Sequence, residues 1–149
     1  KAVLQRVARA GVKVDGAEVS RIGRGFLVLL GVARGDTQKE LAFLVDKIVQ
    51  LRVFEDEDGK MNRSLLDCGG ELLVVSQFTL LADCKKGRRP SFFDAMPPAE
   101  AAPMVDEFAT AAAARGVTVR QGTFGAMMEV DLVNDGPVTI VLDTDTLLR

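Results

Sequence analysis

"LVNDGPVTIV", residues 132–141, sets turn-forming residues against strand-forming ones across a single proline. Asn134-Asp135-Gly136 reads as a hairpin turn, being built of residue types that tolerate positive φ. Val138-Thr139-Ile140-Val141 reads as a strand. Pro137 stands between them, where it can donate no hydrogen bond to a sheet ladder. A hairpin here predicts two strands, one in "AMMEVDLV" and one in "VTIVLD", after an earlier one in "VTVRQG".

Working outward, the N-terminal stretch "AVLQRVARAGVKVDGAEVSRIGRGFLVLLGVA" alternates apolar and polar residues and is broken at Asp15-Gly16 and Gly23. It predicts strands, with a hairpin at Asp15-Gly16 and a more buried strand over Phe26–Val32. Thr37 and Glu40 make a T-x-x-E capping box, followed by Leu41, Leu44, Val45, Ile48 and Leu51 at helical spacing, which predicts a helix over 38–51. "FEDEDGKMNRSLLDCGG" reads as an acidic loop. Its Glu55–Asp58 run lacks the alternating ligand spacing of a calcium loop, so a solvated turn is expected. "ELLVVSQFTLLA" reads as one buried strand ending in polar residues. "PPAEAAPMVDEFATAAAARG" reads as a second helix with Met104, Val105, Phe108 and Ala112 inward and Gly116 as C-cap. Pro103 should confine its regular part to residues after 102. Many strands and two helices predict layered sheets with the helices on one face.

At 149 residues the chain is expected to be one domain with a sizeable core. Its longest apolar run, Phe26–Val32, is too short to span a bilayer, so no membrane partner is expected. No secretion signal is visible, so a cytoplasmic location is expected, with an initiating methionine ahead of Lys1. Cys68 and Cys84 make neither a disulfide framework nor a metal site. There is no histidine, which excludes Ser-His, Cys-His and His-metal chemistry. The net charge of −2 does not advertise nucleic-acid binding. Basic residues nevertheless gather in the first 34 positions and in Lys85-Lys86-Gly87-Arg88-Arg89. These form either a solvated face or a local contact for one phosphate backbone.

Two further features bear on chemistry. In "VVSQFTLL", Ser76, Gln77 and Thr79 interrupt an apolar run. They either cap neighbouring backbone or supply hydrogen bonds beside a reacting carbonyl. With no histidine, neither hydroxyl has an evident base, so catalysis there would rest on orientation and oxyanion stabilisation. In "GTFGAMMEV", Gly122 and Gly125 allow a tight turn or a close ligand approach.

Together these pieces resemble a D-aminoacyl-tRNA deacylase, nearly end to end. The two motifs of that family, S-Q-x-x-T and N-x-G-P-[VF]-T, match at Ser76, Gln77 and Thr79 and at Asn134, Gly136, Pro137, Val138 and Thr139. The resemblance implies an α/β fold: a three-layer β/β/α single domain spanning 1–149, with two mixed β-sheets packed together and about two helices on one face. It implies hydrolysis of the ester between a D-amino acid and the 3′-terminal adenosine of tRNA, without metal or cofactor. It also implies a homodimer in which a cis Gly136–Pro137 unit from one subunit enters the other's site, its carbonyls reading the α-carbon. By the same resemblance Ser76, Gln77 and Thr79 are catalytic, Thr79 through a supporting hydrogen bond beside an oxyanion site made by the amides near Phe78 and Thr79. Phe78 is a platform for the adenine and Met128 a wall of the pocket. Arg6, Lys85, Lys86, Arg88 and Arg89 would meet the phosphates of the tRNA acceptor end, and no DNA partner is implied. Glycyl-tRNA, lacking a side chain, would be poorly excluded. Two other classes stay open on the residues alone: an esterase with Thr79 as nucleophile, and a non-catalytic RNA-binding module.

Overall fold

The computed structural model describes residues 1–148. Strand β1 (Ala2–Val14) reverses at Asp15-Gly16 into β2 (Ala17–Ile22), which is followed by β3 (Gly25–Leu30) and helix α1 (Gln38–Gln50). Next come the short β4 (Phe54–Glu55) and β5 (Met61–Arg63), the one-turn α2 (Leu65–Cys68), β6 (Glu71–Ser76) and a 3-10 turn (Phe78–Leu81). Helix α3 (Pro98–Ala114), β7 (Thr118–Gln121), β8 (Glu129–Leu142) and the one-turn α4 (Thr144–Leu147) complete the order. The fold is mixed α/β: among the described residues there are one large sheet with parallel and antiparallel pairings, a two-stranded ribbon of β4 and β5, and four helices.

Strand β1 organises the sheet. On one side its far half pairs with β2 and its near half with β3, both antiparallel. Beyond β3 lie β6 and β7, all three parallel to one another. Alternation along β1 divides its side chains between two cores. Ala2 and Leu4 join Phe26, Val28, Leu72 and Val74 beneath α1 and α3. Val7, Ala10 and Val12 pack with Ile22, Leu27, Leu73 and Val75 on the opposite face, where the sheet bends so that β2 comes over β6 and β7. The result is sheet on sheet, with helices covering one side.

The 132–141 stretch is not a hairpin. β8 is one fourteen-residue strand, antiparallel to β1 from Lys13↔Glu129 to Ala2↔Leu142. Residues on both sides of Gly136-Pro137 therefore pair with the same partner. The register shifts between Gln5↔Thr139 and Val7↔Asn134, so the residues between, 135–138, bulge out opposite Arg6. The turn-forming residues serve a bulge because β1 offers one continuous edge, and no chain reversal occurs.

Two other expectations change. The run after Ser76 is not strand: Gln77 leaves β geometry at φ −143, ψ 79, and the chain closes into the 3-10 turn. Helix α3 starts at Pro98 and runs through Pro103. A proline at N1 is already set for helix, and Pro103, in the second turn, gives up only the one N–H bond to the Ala99 carbonyl. Arg115 is its C-cap, with Gly116 just beyond at φ 97. The capping box is as read: Thr37 N–H donates to Glu40 Oε2 at 2.7 Å and Lys39 N–H to Thr37 Oγ1 at 3.3 Å. The acidic loop is the turn of the β4–β5 ribbon, where Asp56 Oδ1 accepts the Asp58 and Lys60 N–H groups at 2.9 and 3.0 Å.

Candidate active site

A cleft of about 680 Å³ opens at the carboxyl ends of the three parallel strands. Open α/β sheets bind their ligands beyond the carboxyl ends of their strands. Val32 and Arg34 follow β3, Ser76 ends β6 and Gln77 and Phe78 follow it, and Phe124 to Met128 follow β7. Ser76, Gln77, Phe78 and Met128 of the sequence-predicted set therefore share one cleft. Thr79 is next to it but does not line it.

The head of the cleft is built from main chain. Gln77 N–H donates to Leu30 O at 2.8 Å, which ties the turn to the end of β3. Leu80 N–H returns to Gln77 O, and Ala82 N–H to Thr79 O, at 3.2 and 3.1 Å. No side chain caps the start of the turn. The Phe78 and Thr79 amides there have no acceptor within the turn, as at any helix start. Gln77 Nε2 donates to Thr79 Oγ1, so the two polar side chains brace each other and not the neighbouring backbone. An amide N–H cannot take the hydroxyl's proton, so this arrangement does not activate Thr79 as a nucleophile.

Gly31, which sequence reasoning missed, makes this packing possible. A Cβ at Gly31 would lie 2.7 Å from Leu81 Cδ2, 3.0 Å from Gln77 O and 3.1 Å from Leu80 Cβ. Gly31→Ala is expected to push the 78–81 turn off β3 and to destabilise the chain by about 1–3 kcal/mol, readable in a denaturant melt. On the opposite wall, Met128 packs over Gly122, its sulfur 2.7 Å from where a Cβ would stand. Phe78 is 55% exposed and meets Phe92 edge-on, with centroids 5.1 Å apart and planes at 77°. Phe92 is thus a second aromatic of the cleft that its place in "RPSFFD" did not signal.

Beyond the turn the chain enters the basic loop, closed at its neck by Asp83 and Ser91, which exchange N–H···O bonds of 2.7 and 2.8 Å. Lys85, Lys86, Arg88 and Arg89 are all exposed on it. Arg34, not singled out from the sequence, sits between cleft and loop. Its segment is held by Asp36, which accepts the Ala33 N–H at 2.8 Å. Burial pushes the Asp36 carboxyl above the usual carboxylate range, against the lowering by that N–H.

Arg6 does not join the basic surface. It is buried, at 6% exposure. Its Nη1 donates to Val53 O at 2.8 Å and its Nε to Asp135 O at 3.0 Å. Glu55 and Asp135 carboxylates lie at 3.8 and 3.9 Å. A guanidinium so engaged supports the 135–138 bulge from behind and is not free to bind phosphate. The second motif has the same purpose. Asn134 Oδ1 accepts the Val138 N–H at 3.2 Å, and Asn134 Nδ2 and Thr139 Oγ1 both donate to Gln5 Oε1, at 2.7 and 2.6 Å. The Gly136–Pro137 peptide held in this frame is cis, with both residues exposed. Neither residue lines the cleft that holds Ser76 and Gln77.

The bent sheet with helices on one side is shared with solved structures. One, described as "c-Myc DNA Unwinding Element Binding Protein", superposes with a TM-score of 0.89 at 48% identity, covering 95% of this chain and 97% of that one. Another, "a probable eukaryotic D-amino acid tRNA deacylase", is alike in fold, with a TM-score of 0.78 at 23% identity over 93% of this chain and 96% of its own. The family described as D-Tyr-tRNA(Tyr) deacylase matches residues 3–143, and this chain belongs to that family. A D-aminoacyl-tRNA deacylase of Thermomicrobium roseum is 60% identical over 147 residues, which cover 99% of this chain and 96% of the relative. No helix among the described residues is long and apolar enough to cross a membrane.

Proposed function

We propose that this chain hydrolyses the ester between a D-amino acid and the 3′-terminal adenosine of tRNA in the cytoplasm, as a homodimer, clearing mischarged tRNA before translation. The observation that carries this reading is the separation of the two motifs. Ser76 and Gln77 head the cleft, while Gly136-Pro137 stands on an exposed, braced bulge outside it. A second copy that brings its bulge to this cleft would complete each site, as a two-fold interface allows.

The chemistry asked of the site is modest, because the ester is already activated. The Phe78 and Thr79 amides would hold the developing oxyanion, with Ser76 and Gln77 against the aminoacyl-adenosine and Thr79 braced by Gln77. Water would be activated by the tRNA's own terminal 2′-hydroxyl. Phe78 would carry the adenine and Met128 would wall the pocket. Lys85, Lys86, Arg88 and Arg89 would meet acceptor-stem phosphates, reading charge and shape.

The partner's Gly136 and Pro137 carbonyls would bind the amino group and leave no room for an L side chain. Rejecting L-substrates 10⁴-fold takes about 5.5 kcal/mol, which a clash with rigid main chain can supply and one pocket methylene cannot. Glycine, with nothing to clash, would pass the filter. The test is hydrolysis of one tRNA charged in parallel with the D- and L-forms of one amino acid. Rapid loss of the D-ester alone is expected. Loss of both would remove the chirality filter, and loss of neither would leave a tRNA-binding protein.

A further inference from the structure

Phe93 is the most exposed aromatic side chain, at 73%, yet the chain around it is firmly held. Residues 32–34 and 93–96 are zipped together: Met96 N–H donates to Val32 O at 3.0 Å, Arg34 N–H to Asp94 O at 2.9 Å, and Ala33 pairs with Ala95. Arg34 Nε donates to the Phe93 carbonyl, and its guanidinium lies over the Phe93 ring, 4.9 Å from the centroid. One face of the ring is therefore occupied by a cation. An aromatic ring this exposed, on a rigid support, is a platform without its load.

Its position says what the load is. Arg34 lines the catalytic cleft together with Ser76, Gln77 and Phe78. It also lines a neighbouring cleft of about 680 Å³, together with Lys85 at the root of the basic loop. Asp83, Asp94 and Asp145 line that second cleft too, against Lys1, Arg34 and Lys85, so its lining offers a phosphate no surplus of positive charge. Phe93 itself lies outside both clefts, joined to them through Arg34; a flat, uncharged group suits that balanced surround, with phosphates left to the exposed Lys86, Arg88 and Arg89 beyond.

We infer that the Arg34–Phe93 pair stacks the unpaired base that immediately precedes the terminal adenosine of the tRNA. This rests on the deacylase reading above. Stacking is indifferent to base identity, because every base has a π-face, so it would anchor any tRNA end. It would also set the direction in which the strand runs, from the cleft past Arg34 toward the basic loop.

The experiment is a cycle of enzyme and substrate changes. Wild type, Phe93→Ala, Phe93→Leu and Phe93→Trp act on a D-aminoacyl acceptor-stem RNA, either intact or with an abasic site at the nucleotide before the terminal adenosine. On intact RNA, Phe93→Ala and Phe93→Leu should raise KM about tenfold at unchanged kcat, and Phe93→Trp should not. On abasic RNA the wild type should lose the same factor, and the Ala and Leu variants should lose nothing further. Independent, multiplying losses would overturn the inference, as would an unchanged KM in Phe93→Ala. A wild type that hydrolyses neither RNA would overturn it together with the deacylase reading. Wild-type turnover with no effect at Phe93 would sink the stacking site alone.

Discussion

Gly136→Ala is expected to lower kcat/KM for D-aminoacyl-tRNA by about 10²-fold or more while leaving the fold intact. Gly136 sits at φ 131, a region that L side chains rarely enter. A methyl there would stand 2.8 Å from Val138 Cγ2, 2.9 Å from Val138 N and 3.2 Å from Arg6 Nη2. Val138 N is itself bonded to Asn134, and Arg6 is fixed at Asp135 and Val53, so neither can retreat cheaply. The bulge must change shape, at a cost of about 1–3 kcal/mol in an exposed segment. The melting temperature should therefore fall by only several degrees while the carbonyls lose their aim. Val138→Ala added to Gly136→Ala should not restore turnover, because the clash with Val138 N and the backbone conformation both remain. Steady-state hydrolysis beside thermal melting checks this. A variant with near wild-type turnover would remove the bulge from the site.

Local signals in the sequence were legible wherever local forces decide. The Thr37–Glu40 box and the Asp15-Gly16 reversal need only neighbours in the chain, and both are found where the residues indicate. The 132–141 stretch needs β1, nearly the whole chain away, to say whether Asn-Asp-Gly reverses the strand or bulges it. Turn propensity alone cannot choose between those outcomes. Leu80 and Leu81 prolonged the apparent strand after Ser76, because a short apolar run looks the same in a 3-10 turn. The burial of Arg6 is written in the pattern of β1. The alternation that buries Ala2 and Leu4 puts residue 6 on the same face. A buried arginine has to find oxygen acceptors, and it finds them in Val53 and the bulge. The cleft itself was legible only as residue types. Their convergence depends on three parallel strands ending side by side, and on Gly31 letting the turn close over β3.

Mixing two inactive variants should regenerate activity. Gln77→Ala damages the cleft, since Gln77 lines it and braces Thr79, and Gly136→Ala damages the bulge; if the chain works as the proposed homodimer, each variant alone is expected to be nearly silent. In a mixed dimer, the cleft of the Gly136→Ala chain meets the intact bulge of the Gln77→Ala chain. Its other site combines both defects. Random assortment makes about half of the dimers mixed, each with one working site of two, so co-expression should return about a quarter of wild-type activity. A filter that served its own chain's cleft would give no recovery, because every site would then carry one of the two lesions. Two affinity tags, one per variant, isolate the mixed dimer and double the expected yield per molecule. Recovery in that fraction would place the two motifs of one site on two chains. Mixed dimers that stay silent would return the bulge to its own subunit, and the exposed Gly136-Pro137 unit would then need a rearrangement within one chain to reach the ester.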